Sequence, residues 1–262
     1  MRNFAKGLEK DITKYYEEAD IYFITSPSMV NRDEVIKAKN DGKKIVLRLD
    51  NAVRNSRNRN TGMTRMKDFA EWADLIIYQS EWAMNYLKSF LGKEGEVILN
   101  GIDTRLYHPP SQDPPRNTIL YSRFNRDETK NYEAARYWYS QFHVRYPDAI
   151  LYIVGQFSPE LQAGNFDFYN GEVYKFLGVL PPENMADLYR NCSKFLYTYF
   201  NDACSNTLIE ALASGCEPVG DEYYRQTGGA AEIIDKWSTN GAEYFTLERM
   251  CFDYRVAMEG IL

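Results

Sequence analysis

Nine short runs of β-branched and aromatic residues, set between stretches of helical pattern, constrain this chain more than any other feature. The first four are DIYFITS (20–26), KIVLRLD (44–50), LIIYQS (75–80) and EVILN (96–100). The other five are TILYSR (118–123), AILYIVG (149–155), VYKFLG (173–178), KFLYTY (194–199) and EPVGD (217–221). Helical patterns separate most of them, such as residues 126–146 and 183–191. Strand alternating with helix implies parallel sheets covered on both faces, hence an α/β fold. One stretch fits neither element. YHPPSQDPPRN (107–117) holds four prolines, which exclude a helix interior or a central strand, and it reads as the linker between two α/β domains.

A chain of 262 residues can bury a substantial core. No apolar run approaches the ~18 residues that cross a bilayer, and MRNFAKGLEKDITKYYEEAD lacks a signal-peptide core, so a cytoplasmic location is expected. Cys192, Cys204, Cys216 and Cys251 form no Cys-x-x-Cys pair and are expected as reduced thiols. The two histidines, His108 and His143, are too few for a histidine-built metal site; no metal is expected, and no cofactor either. Charge is divided unevenly. Residues 1–105 carry 18 Lys/Arg against 16 Asp/Glu, and residues 106–262 carry 13 against 21. That balance suggests different partners for the two halves and argues against nucleic acid.

The run KFLYTYF leads into NDACSN, after which NTLIEALASG reads as a helix stopped at Gly215. The loop thus sits at a strand's carboxyl end and a helix's N-terminus, where α/β sheets bind ligands. Free N–H groups around Ser205, Asn206, Thr207 and Leu208 would attract phosphate. Glu210, one turn into the helix, could accept hydrogen bonds from vicinal ribose hydroxyls. Asp202 lies just before it. A second reading stays open here: Ser205 or Asn206 is an ordinary N-cap, and Glu210 satisfies the helix dipole. YSRFNRDETKN (121–131) occupies the same kind of position and brings Arg123, Arg126 and Lys130. Cations at a helix N-terminus oppose its dipole, and a bound diphosphate would supply the reason for them.

At these residues the chain resembles a family 4 glycosyltransferase. The resemblance runs in order through VILNGIDTRLYHP (97–109), the SR…KN segment, FLGVLPPENMADLYRNC (176–192) and DACSNTLIEALASGCEPV (202–219). It continues through GGAAEII (228–234) and the closing segment 246–262. It implies a GT-B-like α/β fold, two Rossmann-like parallel-sheet domains facing across a cleft, with retaining chemistry. The domains would span residues 1–105, on the acceptor side, and 106–245, on the nucleotide-sugar side. Residues 246–262 would form a helix crossing back to the first. By the same resemblance Arg123 and Lys130 hold the diphosphate and stabilise the departing charge, and Asp202 contacts the donor sugar. Glu210 binds ribose, the backbone near Asn206–Leu208 binds phosphate, and Val179 and Leu180 border the base. UDP, GDP and ADP are not distinguished.

Three departures from the family pattern stand out. The family's motif has two glutamates with seven residues between them, and the positions that match are Asp202 and Glu210, so the first acid is Asp rather than Glu. Arg123 and Lys130 are one residue further apart than usual, so Arg126 is a candidate to share the role of Lys130. The first half lacks a strand–helix portion with a glycine-rich turn, leaving an abbreviated acceptor-side domain. There VLRLDN places Arg48, Asp50 and Asn51 at a strand's end as acceptor-side candidates, although Asp50 can equally start an Asx-turn. NAVRNSRNRNTGMTRMK (51–67) carries five cations and no acid, which suits either a solvated loop or a phosphorylated or membrane-linked acceptor. Ser80 and Glu81 read as a helix cap. The expected partners are a nucleotide-diphosphate sugar and a sugar or lipid-linked acceptor, with peripheral membrane contact and a homo-oligomer both compatible. The rival reading is a nucleotide-sugar-binding protein whose catalysis is lost or depends on a partner chain.

Overall fold

The computed structural model describes residues 8–9, 11–13, 15–27, 30–49, 60–125, 130–156, 173–220 and 227–262, with backbone alone for 60–63. The chain forms two compact units. One gathers Met1–Ile102, Asn201–Cys204 and Ala231–Leu262; the other gathers Asp103–Phe200 and Ser205–Ala230.

In the first unit β1 (Ile21–Ile24), β2 (Lys44–Leu49), β3 (Leu75–Tyr78) and β4 (Glu96–Val97) pair in parallel and in sequence order. Helices α1 (Arg32–Asn40), α2 (Asn60–Trp72) and α3 (Glu81–Leu91) make the crossovers. Right-handed crossovers repeated in one direction place every connecting helix on the same face of the sheet. Accordingly Ile45, Leu47 and Leu49 pack with Val35, Ala38, Phe69, Ala70, Leu87 and Leu91. The opposite face needs another cover. Val46, Ile77 and Ile98 pack instead against Leu247, Met250, Cys251 and Tyr254 of the last helix. Both faces of β2 are thus buried, which is why Ile45, Val46, Leu47 and Leu49 are apolar without alternation, interrupted by the buried, hydrogen-bonded Arg48. Ser80 does cap a helix: its Oγ accepts from the N–H of Ala83 at 3.0 Å, and Gly92, at φ 69°, closes α3.

In the second unit the strand order is β7-β6-β5-β8-β9, all parallel. The chain builds outward from β5 (Thr118–Phe124) through β6 (Ile150–Gly155) to β7 (Val173–Phe176). It then returns to the other side of β5 for β8 (Lys194–Leu196) and β9 (Glu217–Val219). The winding therefore reverses between β5 and β8, the position where such sheets open a crevice at their carboxyl edge. Helices α4 (Tyr132–Arg145), α5 (Pro182–Arg190) and α6 (Asn206–Ala213) connect the strands. The proline-rich stretch begins against this unit, where Arg190 Nη1 donates to the carbonyl of Leu106 at 2.8 Å. Helices α7 (Ala230–Asn240) and α8 (Leu247–Glu259) complete the chain. Each unit has a parallel sheet, as the alternating pattern of the sequence predicts. Among the described residues, no helix is long and apolar enough to cross a membrane.

Candidate functional site

The carboxyl end of β5 is distorted. Its pairing with β6 slips between Tyr121 and Phe124, and Arg123, inside the slip, has φ 61°. A non-glycine residue in the left-handed region costs on the order of 1–3 kcal/mol and persists only where its surroundings impose it. Here the neighbours do so: Tyr121, Ser122 and Phe124 are buried, while Arg123 is exposed. Gly155 makes room for the distortion, since a Cβ there would lie 2.1 Å from the carbonyl oxygen of Phe124.

Lys130, just before α4, is only 1% exposed. Its carbonyl accepts from the Tyr121 hydroxyl at 2.8 Å. Thr198 Oγ1 lies 3.2 Å from the same oxygen and 3.0 Å from the carbonyl of Asn131. Residues at the ends of β5 and β8 thereby fix where Lys130 starts. Its ammonium Nζ lies 4.7 Å from the ring centre of Tyr199, and Arg123 Cζ lies 5.9 Å from the same ring. Tyr199 is fully buried, and its hydroxyl sits 2.9 Å from Ser122 Oγ and donates to the Ser122 carbonyl.

The N-terminus of α6, like that of α5 at Pro181, lacks the side-chain cap that four other helix starts have. Asn31, Ser80, Asn131 and Thr246 each cap a helix through a side-chain oxygen. Ser205 occupies the same position for α6 but makes no such bond, and its Oγ pairs with Thr207 Oγ1 at 3.1 Å. The capping reading therefore gets the position of Ser205 right and its bond wrong. Asn206 Oδ1 is buried without a hydrogen-bond partner among the described residues. Leu208 is fully buried and anchors the helix.

Glu210 follows on α6 as a half-buried residue. Burial pushes its carboxyl up to about 8, against the pull of the Arg123 guanidinium and the hydroxyls of Tyr107 and Tyr189. A carboxyl of that strength is largely protonated at neutral pH and can donate as well as accept. Val179 and Leu180 follow β7, the first 70% exposed and the second half-buried. The structure thus gathers Arg123, Lys130, Ser205–Leu208, Glu210 and the Val179–Leu180 turn in the second unit, at or beyond the carboxyl ends of its strands.

Other candidates fall elsewhere. Arg126, Asp50 and Asn51 lie outside the described residues. Arg48 and Asp202 belong to the first unit and are 7% and 8% exposed. Arg48 donates from Nε to the Tyr254 hydroxyl at 2.9 Å and from Nη2 to Asn100 Oδ1 at 3.0 Å. Beside Asp202, burial pushes the Cys204 thiol up to about 12, so it is no nucleophile near neutral pH. All four cysteines are free and buried. Among the described residues no three His, Cys, Asp or Glu side chains cluster as metal ligands. Tyr121, Thr198 and Tyr199 escape sequence reading because aromatic and β-branched residues are what a strand end is expected to hold. What marks them is adjacency, in space rather than sequence, to Arg123 and Lys130.

No protein-family model matches the sequence, and no curated protein is recognisably similar to it. Solved structures are similar in fold. The protein HepE of Anabaena, crystallised with UDP and glucose, aligns with a TM-score of 0.68 at 14% identity, over 98% of this chain and 80% of that one. Sucrose-phosphate synthase of Thermosynechococcus elongatus aligns at 0.59 and 17% identity, over 98% of this chain and 74% of its own. The pneumococcal O-GlcNAc transferase GtfA, crystallised with UDP and GlcNAc, aligns at 0.64 and 12% identity, over 98% of this chain and 59% of its own. These neighbours are GT-B glycosyltransferases, and at such identities the likeness establishes the fold of this chain.

Proposed function

We propose that the protein is a retaining glycosyltransferase of family 4 type, moving a sugar from a nucleotide-diphosphate sugar to an acceptor hydroxyl without a divalent metal. One observation carries the reading: Arg123 and Lys130 converge on one ring at the point where the second sheet reverses its winding. Two cations held together repel, and an anion with two phosphates relieves that repulsion while adding charge-assisted hydrogen bonds. The unbonded N-cap of α6 supports it, because N–H groups at a helix start suit phosphate. The neighbours that carry UDP supply a nucleotide of the right class.

In this reading the nucleotide and diphosphate provide binding energy that positions the sugar's anomeric carbon. Departure of the diphosphate places negative charge on its bridging oxygen, where Arg123 and Lys130 stabilise it. That oxygen helps take the acceptor's proton on the same face, so no strong side-chain base is required. Glu210 holds the ribose hydroxyls, Asp202 contacts the sugar, and Val179 and Leu180 border the base. Arg48, Asp50 and Asn51 serve the acceptor side, Arg48 by holding the end of β2 through Tyr254 and Asn100.

The deciding measurement is donor consumption. Incubated with UDP-, GDP- or ADP-sugars in excess EDTA, the protein should release nucleoside diphosphate slowly even without acceptor. Arg123→Ala should weaken binding of the released diphosphate by about 1.5–3 kcal/mol, the range for a hydrogen bond to a charged group. Activity that vanishes in EDTA and returns with magnesium or manganese would refute the metal-free chemistry. The shortened acid at Asp202, itself buried, favours a second reading: nucleotide-sugar binding with lost or partner-dependent catalysis. Tight binding with no hydrolysis would select it.

A further inference from the structure

We propose that Tyr199 is a positioning residue, whose ring holds Arg123 and Lys130 ready for the diphosphate; this rests on the function proposed above. The ring is itself immobilised. Its hydroxyl is tied to Ser122, and its centre lies 6.0 Å from the ring of Tyr121, 6.5 Å from Phe195 and 4.8 Å from Tyr197. Packing on several sides restrains the ring, so a cation drawn to it is held in a defined place. The ring face is electron-rich and attracts cations electrostatically, more strongly where water is excluded. Lys130, 1% exposed, is such a desolvated cation.

The two cations reach the ring from different parts of the chain. Arg123 is delivered by the bulge at the end of β5, and Lys130 by the pinned segment before α4. Tyr199 follows β8, the strand on the other side of the winding reversal. Its ring is in range of both, and it links the two elements that meet at the reversal. Without a common anchor, a long Arg and a long Lys side chain would each lose substantial rotamer entropy when the ligand binds. Paying that cost in the folded protein improves affinity for diphosphate in particular, since no other part of the ligand needs both charges.

A core aromatic with no such role would look similar in the fold, so the test must separate shape from charge. Calorimetry would compare UDP, GDP and ADP with uridine, guanosine and adenosine on wild type, Arg123→Ala, Tyr199→Phe and Tyr199→Leu. A further series would install phenylalanine with one, two and three ring fluorines at position 199. Fluorination drains the ring's negative face and leaves its packing nearly unchanged. The expected result is that Tyr199→Phe stays within about twofold of wild type, while Tyr199→Leu weakens the diphosphate about tenfold and spares the nucleoside. Each added fluorine should weaken the diphosphate further. A flat fluorine series, or equal loss of diphosphate and nucleoside in Tyr199→Leu, overturns the proposal while a weakened Arg123→Ala keeps the diphosphate site. If folded wild type binds none of the diphosphates, or Arg123→Ala is silent, both readings fall. Should Tyr199→Leu not fold, the fluorine series decides alone.

Discussion

Glu210 shows how much a single residue can carry. Its ordinary value is 4.5 and burial raises it to about 8. Across that window the folded chain keeps a proton that the unfolded chain has released. Stability must therefore fall as pH rises from about 4.5 to about 8, with the whole loss present above that range. Glu210→Gln stays neutral at every pH and removes the slope. Urea unfolding should find the variant close to wild type at pH 5 and more stable at pH 9, by about 1–3 kcal/mol once partial exposure is allowed for. Equal differences at both values would mean that the carboxyl is ionised in the native protein at neutral pH. Arg123 and Lys130 stand out in sequence as candidates because cations at a helix start break a local rule, and Glu210 because it lies one turn into a helix that begins at a strand's carboxyl end. Tyr199 is not, because an aromatic near a strand end breaks none.

At the scale of elements, the nine apolar runs correspond to nine strands among the described residues, most of them ending short of their run, whereas β5 extends one residue past TILYSR to Phe124. EVILN is the extreme case, with only Glu96–Val97 in the ladder although the N–H of Ile98 still reaches the Tyr78 carbonyl at 2.9 Å. An edge strand has one partner, so its pairing ends where that partner ends. Helix α1 is harder to read. It buries only Val35 and Ala38 among charged residues, too few positions to mark a face. Caps divide into two kinds that look alike in sequence. The Ser80 hydroxyl accepts from the N–H of Ala83, whereas the Ser205 hydroxyl makes no cap bond and pairs with that of Thr207, so their replacement should differ. Ser80→Ala should cost about 1 kcal/mol in urea unfolding, and Ser205→Ala only a few tenths. A Ser205→Ala cost as large as that of Ser80→Ala would show that its hydroxyl caps α6 in solution, and would weaken the case for phosphate there.

For the molecule as a whole, strand order decides what the far end of the chain must do. A sheet wound in one direction buries one face by its own crossovers and leaves Val46, Ile77 and Ile98 on the other. The run Ile45–Val46–Leu47 shows that both sides of β2 carry apolar residues, but not which segment arrives to cover the second side, because that depends on strand order. The chain solves it with α8, entered through a narrow passage. Ile102 and Thr246 form a parallel bridge there, and the N–H of Leu247 donates to the Ile102 carbonyl at 3.1 Å. Gly101 stands beside it, and a Cβ at that position would lie 2.3 Å from the Thr246 carbonyl oxygen and 3.0 Å from Met250 Cβ. Backbone cannot yield as a flexible side chain can, so Gly101→Ala must push the start of α8 away from the sheet. Gly260, near the other end of α8, is the control, since a Cβ there meets nothing nearer than 3.5 Å. Gly101→Ala should lose about 2–4 kcal/mol, while Gly260→Ala should change stability by no more than about 0.5 kcal/mol. Uncovered apolar surface should also appear as dye binding before the main unfolding transition in Gly101→Ala alone. If the two variants unfold alike, α8 has slack at its entrance and the sheet's second face is held by contacts further along the helix.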